Sequence, residues 1–155
     1  MLWRRRTPVA NADSRDELRS AVSGVRVVRE DEPSSRARLL RVVSEAVILQ
    51  DQATELLHEI RDRRPLAEVA RRGGPLATRF FALRHELPPA TGAEMERQCD
   101  TASKVLDHHG RLIVTALDML AMDWRSELIV EQLERLDGLG TPADRLDALY
   151  AELVR

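Results

Sequence analysis

One uninterrupted helix-forming stretch constrains the fold of this chain more than any other feature of the sequence. Between Pro33 and Pro65 there is neither glycine nor proline, the two residues that most often end a helix. Within this stretch, apolar residues recur at alternating spacings of three and four, as on the buried face of a packed helix. These residues are Leu39, Val42, Ala46, Leu49, Ala53, Leu56 and Ile60. The pattern predicts one long helix over residues 34–64.

A second long helix is predicted over residues 92–137. Residues 91–94 match a capping box, in which a Thr hydroxyl and a Glu carboxylate bind free amides at the start of a helix. An apolar stripe follows, and no proline occurs before Pro142. Gly110 is the expected weak point, because glycine lowers helix stability. Two glycines after residue 137 are the expected stop.

Shorter helices are expected around these two. Ser14 and Glu17 form another capping box, and apolar residues follow at helical spacing: Leu18, Val22 and Val25. The end of this first helix stays open, because residues 24–28 are rich in β-branched side chains that also suit extended chain. Two short helices are expected at 65–74 and 75–88, divided by Gly73 and Gly74, and a last one begins at Thr141.

The predicted fold class is therefore all-α: an elongated helical bundle with two long helices and short flanking helices. Aromatic residues make up only 3% of the chain, so the core must consist mainly of aliphatic side chains, which suit helix interfaces. Residues 1–13 are expected to form a flexible basic arm, and residues 14–155 a single domain. No internal repeat is recognisable in the sequence.

Length and composition also restrict the cellular setting and the chemistry. No apolar run reaches the roughly 18 residues that a membrane-spanning helix needs, so we expect a cytoplasmic protein without a membrane span. Cys99 is the single cysteine, and its place on the apolar stripe predicts a buried, inert thiol. The sequence has no nucleotide-binding or nucleophile motif, so neither an enzyme nor a cofactor is expected.

The apolar stripe of the second long helix leads to a prediction about partners. A helix over 92–137 would extend beyond the first long helix by several turns, and its last apolar residues could be covered only by the first and last helices or by another chain. These interface candidates are Trp124, Leu128, Ile129, Leu133 and Leu136. We therefore expect a non-enzymatic protein–protein interaction or assembly module, homodimeric through packing of its long helices.

A histidine on the inner stripe supports an alternative function. His109 occupies a position where leucine is expected, and a buried imidazole needs a polar partner. A core or interface histidine with its hydrogen bond satisfied is the simplest interpretation. The alternative is a metal- or small-ligand-binding bundle, in which His85, Glu45 or Asp123 would assist His109. A Glu-x-x-His pair at Glu55 and His58 points away from the apolar seam and is interpreted as surface.

A third hypothesis is a nucleic-acid-associated regulator. Trp3 and the arginines at 4–6 lie in the arm, and a basic patch is predicted at the end of the first long helix. Its candidate residues are Arg61, Arg64, Arg71 and Arg72. The net charge of −2 argues against this hypothesis, because phosphate binding usually requires a basic excess.

Overall fold

The computed structural model describes residues 32–155, and this part of the chain is built from α-helices without a β-strand. The helices are α1 (Glu32–Arg61), α2 (Leu66–His85), α3 (Ala93–Ala121), α4 (Ser126–Arg135) and α5 (Gly140–Leu153). The all-α prediction is confirmed. The predicted arm and the predicted helix from Ser14 lie outside the described residues.

The helices form an up-down-up-down bundle, as contacts at its two ends show. At one end, the Arg63 side chain, just after α1, bonds to Asp123, just after α3. We call this the turn end, formed by residues 62–65 and 122–125. α1 and α3 therefore run in the same direction.

The opposite end, which we call the open end, holds the starts of α1 and α3. Arg38 near the start of α1 donates to the Glu86 carbonyl at the end of α2, at 2.9 Å. Arg36 of α1 donates to the Leu153 carbonyl at the end of α5, at 3.2 Å. α2 thus runs antiparallel to α1, and α4 followed by α5 occupies the fourth position of the bundle.

The predicted seam of α1 is its buried face. Six of the seven seam residues are buried, and Leu49 is half-buried. The seam packs against apolar side chains of the other helices, which include Phe80, Leu106, Ile113, Ile129 and Leu146. The core is mainly aliphatic, as the composition indicates.

The residues predicted as two short helices form the single helix α2, so the predicted stop at Gly73 and Gly74 is wrong. A Cβ atom on Gly73 would lie 2.9 Å from a methyl of Leu117 and 3.1 Å from one of Leu56. Gly73 therefore permits α1 and α3 to approach α2 closely and does not end a helix. Helix α2 continues past Pro75 because apolar residues on both sides of the proline are buried in the same core.

The second long helix is shorter than predicted: α3 ends at Ala121, not at residue 137. Asp123 adopts a left-handed backbone with φ of 59°, and the chain turns back into α4. Aspartate tolerates this conformation better than most residues. The predicted overhang is absent, because α4 folds back and buries Ile129 completely. Gly110 is not a weak point, since the Phe81 ring packs directly over it.

The turns after α1 and α3 have the same geometry 60 residues apart. Arg63 and Asp123 have φ of 55° and 59°, and corresponding backbone bonds form around them. Arg64 N donates to Glu59 O at 3.0 Å, as Trp124 N does to Met119 O. When residues 60–69 are aligned with residues 120–129, no position has the same amino acid in both. This explains why the sequence shows no repeat. The structure thus contains a repeat of backbone geometry and burial.

In the described part of the chain, no helix is both long enough and apolar enough to cross a membrane.

Candidate functional site

Four large apolar side chains are exposed at the turn end. Met122 is 69% exposed and Leu128 is 41% exposed, although both are large apolar side chains. Leu66 and Trp124 are 40% and 37% exposed. We call these four residues the apolar tip. Exposed apolar side chains are ordinary when scattered singly, but a group at one end of a molecule is typical of an interaction surface.

Arg63 holds the two turns of the turn end together. One nitrogen of its guanidinium donates to the Trp124 carbonyl, and another donates to the Asp123 carboxylate. This pair of bonds fixes the α3–α4 turn relative to the α1–α2 turn. The apolar tip, which draws residues from both turns, is therefore braced within the folded chain.

Charges of both signs surround the apolar tip. Arg61 and Asp62 form an ion pair of 2.9 Å, and this hydrogen bond lowers the pKa of the Asp62 carboxyl. Arg64, Arg125 and Glu127 are exposed in the adjacent turns and helix starts. The surroundings are therefore mixed in charge rather than basic.

The structure separates the five predicted interface residues. Trp124 and Leu128 belong to the apolar tip, whereas Ile129 is part of the core. Leu133 is half-buried against the core, and Leu136 is exposed at the end of α4. The sequence interpretation missed Leu66 and Met122. Leu66 follows Pro65 at the start of α2, beside the first turn, and Met122 follows the last residue of α3, so only Met122 could have been found from a correct position of the second turn.

His109 lies in the centre of the bundle with none of its surface exposed. Its Nε2 atom is 2.9 Å from Oε1 of Gln50, and Nε2 of Gln50 donates to the Asp147 carboxylate at 3.2 Å. Since the Gln50 amide nitrogen faces the carboxylate, its oxygen faces His109, and His109 carries its proton on Nε2. The Phe80 ring and the imidazole pack nearly perpendicular to each other, with ring centres 5.2 Å apart.

This environment keeps the His109 imidazole neutral. Burial, and to a lesser extent the nearby charge of His108, lower its pKa to about 4. The Nδ1 atom is buried without a hydrogen-bond partner. The hydrogen bond to Gln50 fits the interpretation of His109 as a core histidine.

The predicted assistants of a metal at His109 are not brought to it: His85 is exposed at the last residue of α2, whereas His109 is fully buried. Glu45 accepts two hydrogen bonds from Arg79, at 2.5 and 2.7 Å, and these bonds lower the pKa of Glu45. Asp123 lies at the turn end on Arg63. Among residues 32–155, no three side chains of the His, Cys, Asp or Glu type are grouped as metal ligands.

The predicted basic patch is interleaved with carboxylates. Arg72 forms an ion pair of 2.8 Å with Glu59. Arg64, Arg71 and Arg72 line one shallow cavity of about 180 Å³ together with Glu59 and Glu68. Arg61 pairs with Asp62 instead. The structure thus brings three of the four predicted arginines together, but their positive charge is offset locally.

Two further predicted positions are located by the structure. Glu55 and His58 are exposed, as expected for the outer side of α1. Cys99 is half-buried, its thiol lies 3.6 Å from the Pro88 carbonyl, and burial raises its pKa. A raised pKa disfavours the reactive thiolate.

The fold and its surfaces define an all-α helical bundle with an apolar tip. Comparison of the chain with protein-family models, curated proteins and solved structures gives no match.

Proposed function

We propose that this protein is a non-enzymatic helical interaction module that forms a homodimer through the apolar tip. The observation that carries the proposal is the exposure of Met122, Trp124, Leu128 and Leu66 at one braced end of the bundle. Interfaces are enriched in aromatic residues and methionine, and a central tryptophan is a frequent source of binding energy. Burying these side chains against a partner removes apolar surface from water.

A second copy of the chain is the partner that the charges around the tip favour. In a two-fold interface the same surface meets itself, so it must carry both signs of charge to avoid repulsion. Arg125 and Glu127 are exposed beside Trp124 and Leu128, and Asp62 and Arg64 flank them. This mixture is compatible with self-association, whereas a strongly charged partner would be repelled by half of these groups.

The brace formed by Arg63 supports binding for a second reason. A surface that is already ordered loses less conformational entropy when it binds. Because Arg63 bonds to the Trp124 carbonyl and to the Asp123 carboxylate, the backbone of the second turn is held in place before a partner arrives.

Light scattering across a concentration series tests the proposal. At tens of micromolar we expect a mass about twice 17.6 kDa for the natural chain. Met122→Asp and Leu128→Asp should return the mass to that of one chain, because a charge in an apolar interface is costly. Ile48→Asp is the control, since Ile48 is 64% exposed on α1, outside the tip. A monomer at every concentration, or a dimer that the tip variants leave intact, would contradict the proposal.

A further inference from the structure

The methionines of the described chain differ sharply in exposure. Met122 is 69% exposed just after the last residue of α3, whereas Met95 and Met119 are 7% and 4% exposed. Met95 and Met119 both belong to the hydrophobic core. Among residues 32–155, therefore, one methionine has a side chain that is open to solvent, and this methionine is a member of the apolar tip.

Exposure matters because a peroxide oxidises the methionine thioether directly, without prior ionisation. The sulfur donates an electron pair to one oxygen of hydrogen peroxide, and the O–O bond breaks. The sulfur is oxidised to the sulfoxide, and the peroxide is reduced to water, which keeps both peroxide hydrogens. Susceptibility follows the access of solvent to the sulfur, so Met122 should react before Met95 and Met119.

Cys99 carries another sulfur that peroxide could attack, and its surroundings disfavour the reaction. The side chain is half-buried, and its thiol lies 3.6 Å from the Pro88 carbonyl. Burial raises the pKa of the thiol, so less of the reactive thiolate is present. The thioether of Met122 needs no deprotonation and is exposed. Met122 is therefore the sulfur in the described chain that is best placed for oxidation.

A sulfoxide at position 122 would change the character of the apolar tip. Oxidation converts an apolar side chain into a polar one, because the new oxygen accepts hydrogen bonds from water. Burying that oxygen in an interface of apolar side chains such as Trp124 and Leu128 removes its hydrogen bonds to water, which is costly. The oxidised tip should therefore associate more weakly than the reduced tip.

We propose that Met122 is a redox-sensitive modification site, and that its oxidation by hydrogen peroxide to the sulfoxide dissociates the homodimer. This inference rests on the proposed function, because it requires a dimer that buries the apolar tip. A thiol-dependent sulfoxide reductase reverses the reaction: two thiols become a disulfide, and the oxygen leaves as water. The reduced side chain then restores the dimer.

Oxidation and dimerisation compete for the same side chain. Met122 is open to peroxide in the free chain and is covered in a dimer that forms through the tip. The oxidation rate of Met122 should therefore fall as the concentration of the chain rises and the dimer becomes more populated. A methionine outside the interface would be oxidised at the same rate at every concentration.

Peroxide treatment, followed by peptide mass spectrometry and light scattering, tests this inference. At low chain concentration, the Met122 peptide should gain one oxygen atom about tenfold faster than the Met95 and Met119 peptides. The dissociation constant of the dimer should rise by about ten- to a hundredfold after oxidation. Met122→Leu is the matched control, because leucine keeps the side chain apolar and has no sulfur. The dimer of this variant should withstand the same treatment.

Three outcomes would overturn the inference. Equal oxidation rates for Met122 and the two buried methionines would show that exposure does not select Met122. A dimer that persists after complete oxidation of Met122 would show that the sulfoxide does not control association. Loss of the Met122→Leu dimer in peroxide would assign the effect to another residue.

Failure of the proposed function has a different signature. A natural chain that is monomeric before peroxide is added would contradict the homodimer, and the redox control of that dimer with it. Because this result needs no peroxide, it is distinguishable from a dimer that forms and then resists oxidation.

Discussion

Gln50 and His109 are joined by a hydrogen bond of 2.9 Å in the centre of the bundle, between α1 and α3. The bond orients a neutral imidazole among aliphatic side chains, and Asp147 orients the amide in turn. Two predictions concern this pair.

The first prediction is a loss of stability in mild acid. The pKa of His109 is about 4 in the folded chain, against 6.5 for an exposed histidine, so the unfolded chain binds more protons between these values. Stability therefore falls as the pH decreases from about 6.5 to 4, by about 3 kcal/mol from this group, and no further below pH 4. Urea unfolding at several pH values measures the effect. In the His109→Leu variant, the free energy of unfolding should depend less on pH than in the natural chain. The His58→Leu variant, changed at an exposed position, should keep the pH dependence of the natural chain.

The second prediction separates the hydrogen bond from burial itself. Gln50→Leu removes the acceptor of the buried His109 Nε2–H, which should lower the free energy of unfolding by about 1–3 kcal/mol. The double variant Gln50→Leu with His109→Leu removes both polar groups and should recover part of that loss. Denaturant unfolding of the natural chain, the two single variants and the double variant gives the coupling energy between Gln50 and His109. Additive effects of the two single variants would contradict the hydrogen bond between these side chains.

A third prediction compares two glycines inside helices. At Gly110 a Cβ atom would lie 2.7 Å from the Phe81 ring, whereas at Gly74 it would meet nothing within 4 Å. Gly110→Ala should therefore destabilise the bundle by about 1–2 kcal/mol through overpacking. Gly74→Ala should stabilise it by about 0.5–1 kcal/mol, because alanine favours the helix. Thermal unfolding of both variants checks the direction of each change in stability. A higher melting temperature for Gly110→Ala would contradict the close packing of the Phe81 ring on Gly110.

A fourth prediction concerns the brace at the turn end. Arg63→Gln removes the ion pair to Asp123 and weakens the bond to the Trp124 carbonyl. The cost in stability should be below about 1 kcal/mol, because the pair is largely exposed. Amide exchange at residues 122–125 should nevertheless become several-fold faster. Arg97→Gln, which acts at the open end, should leave exchange at those residues unchanged.

The sequence was most informative where one pattern extended without competing signals. The seam from Leu39 to Ile60 predicted both the helix α1 and its buried face, because heptad spacing directly reflects which side of a helix is covered. The burial of His109 followed from the same reasoning about α3.

The sequence misled where local signals and tertiary packing disagreed. Gly73, Gly74 and Pro75 usually end a helix, yet the core holds α2 together across them. In contrast, Met122–Arg125 contains no glycine or proline, and only the left-handed backbone of Asp123 breaks the helix there. The apolar tip depends on that break, so its membership could not be predicted without the turn.

The matching turns after α1 and α3 give the bundle a modular construction. Each turn reverses the chain with the same backbone bonds, and the halves are joined covalently only through residues 86–92. A break within that connection leaves one turn in each fragment. We therefore expect the two fragments to reassemble into the bundle when they are co-expressed.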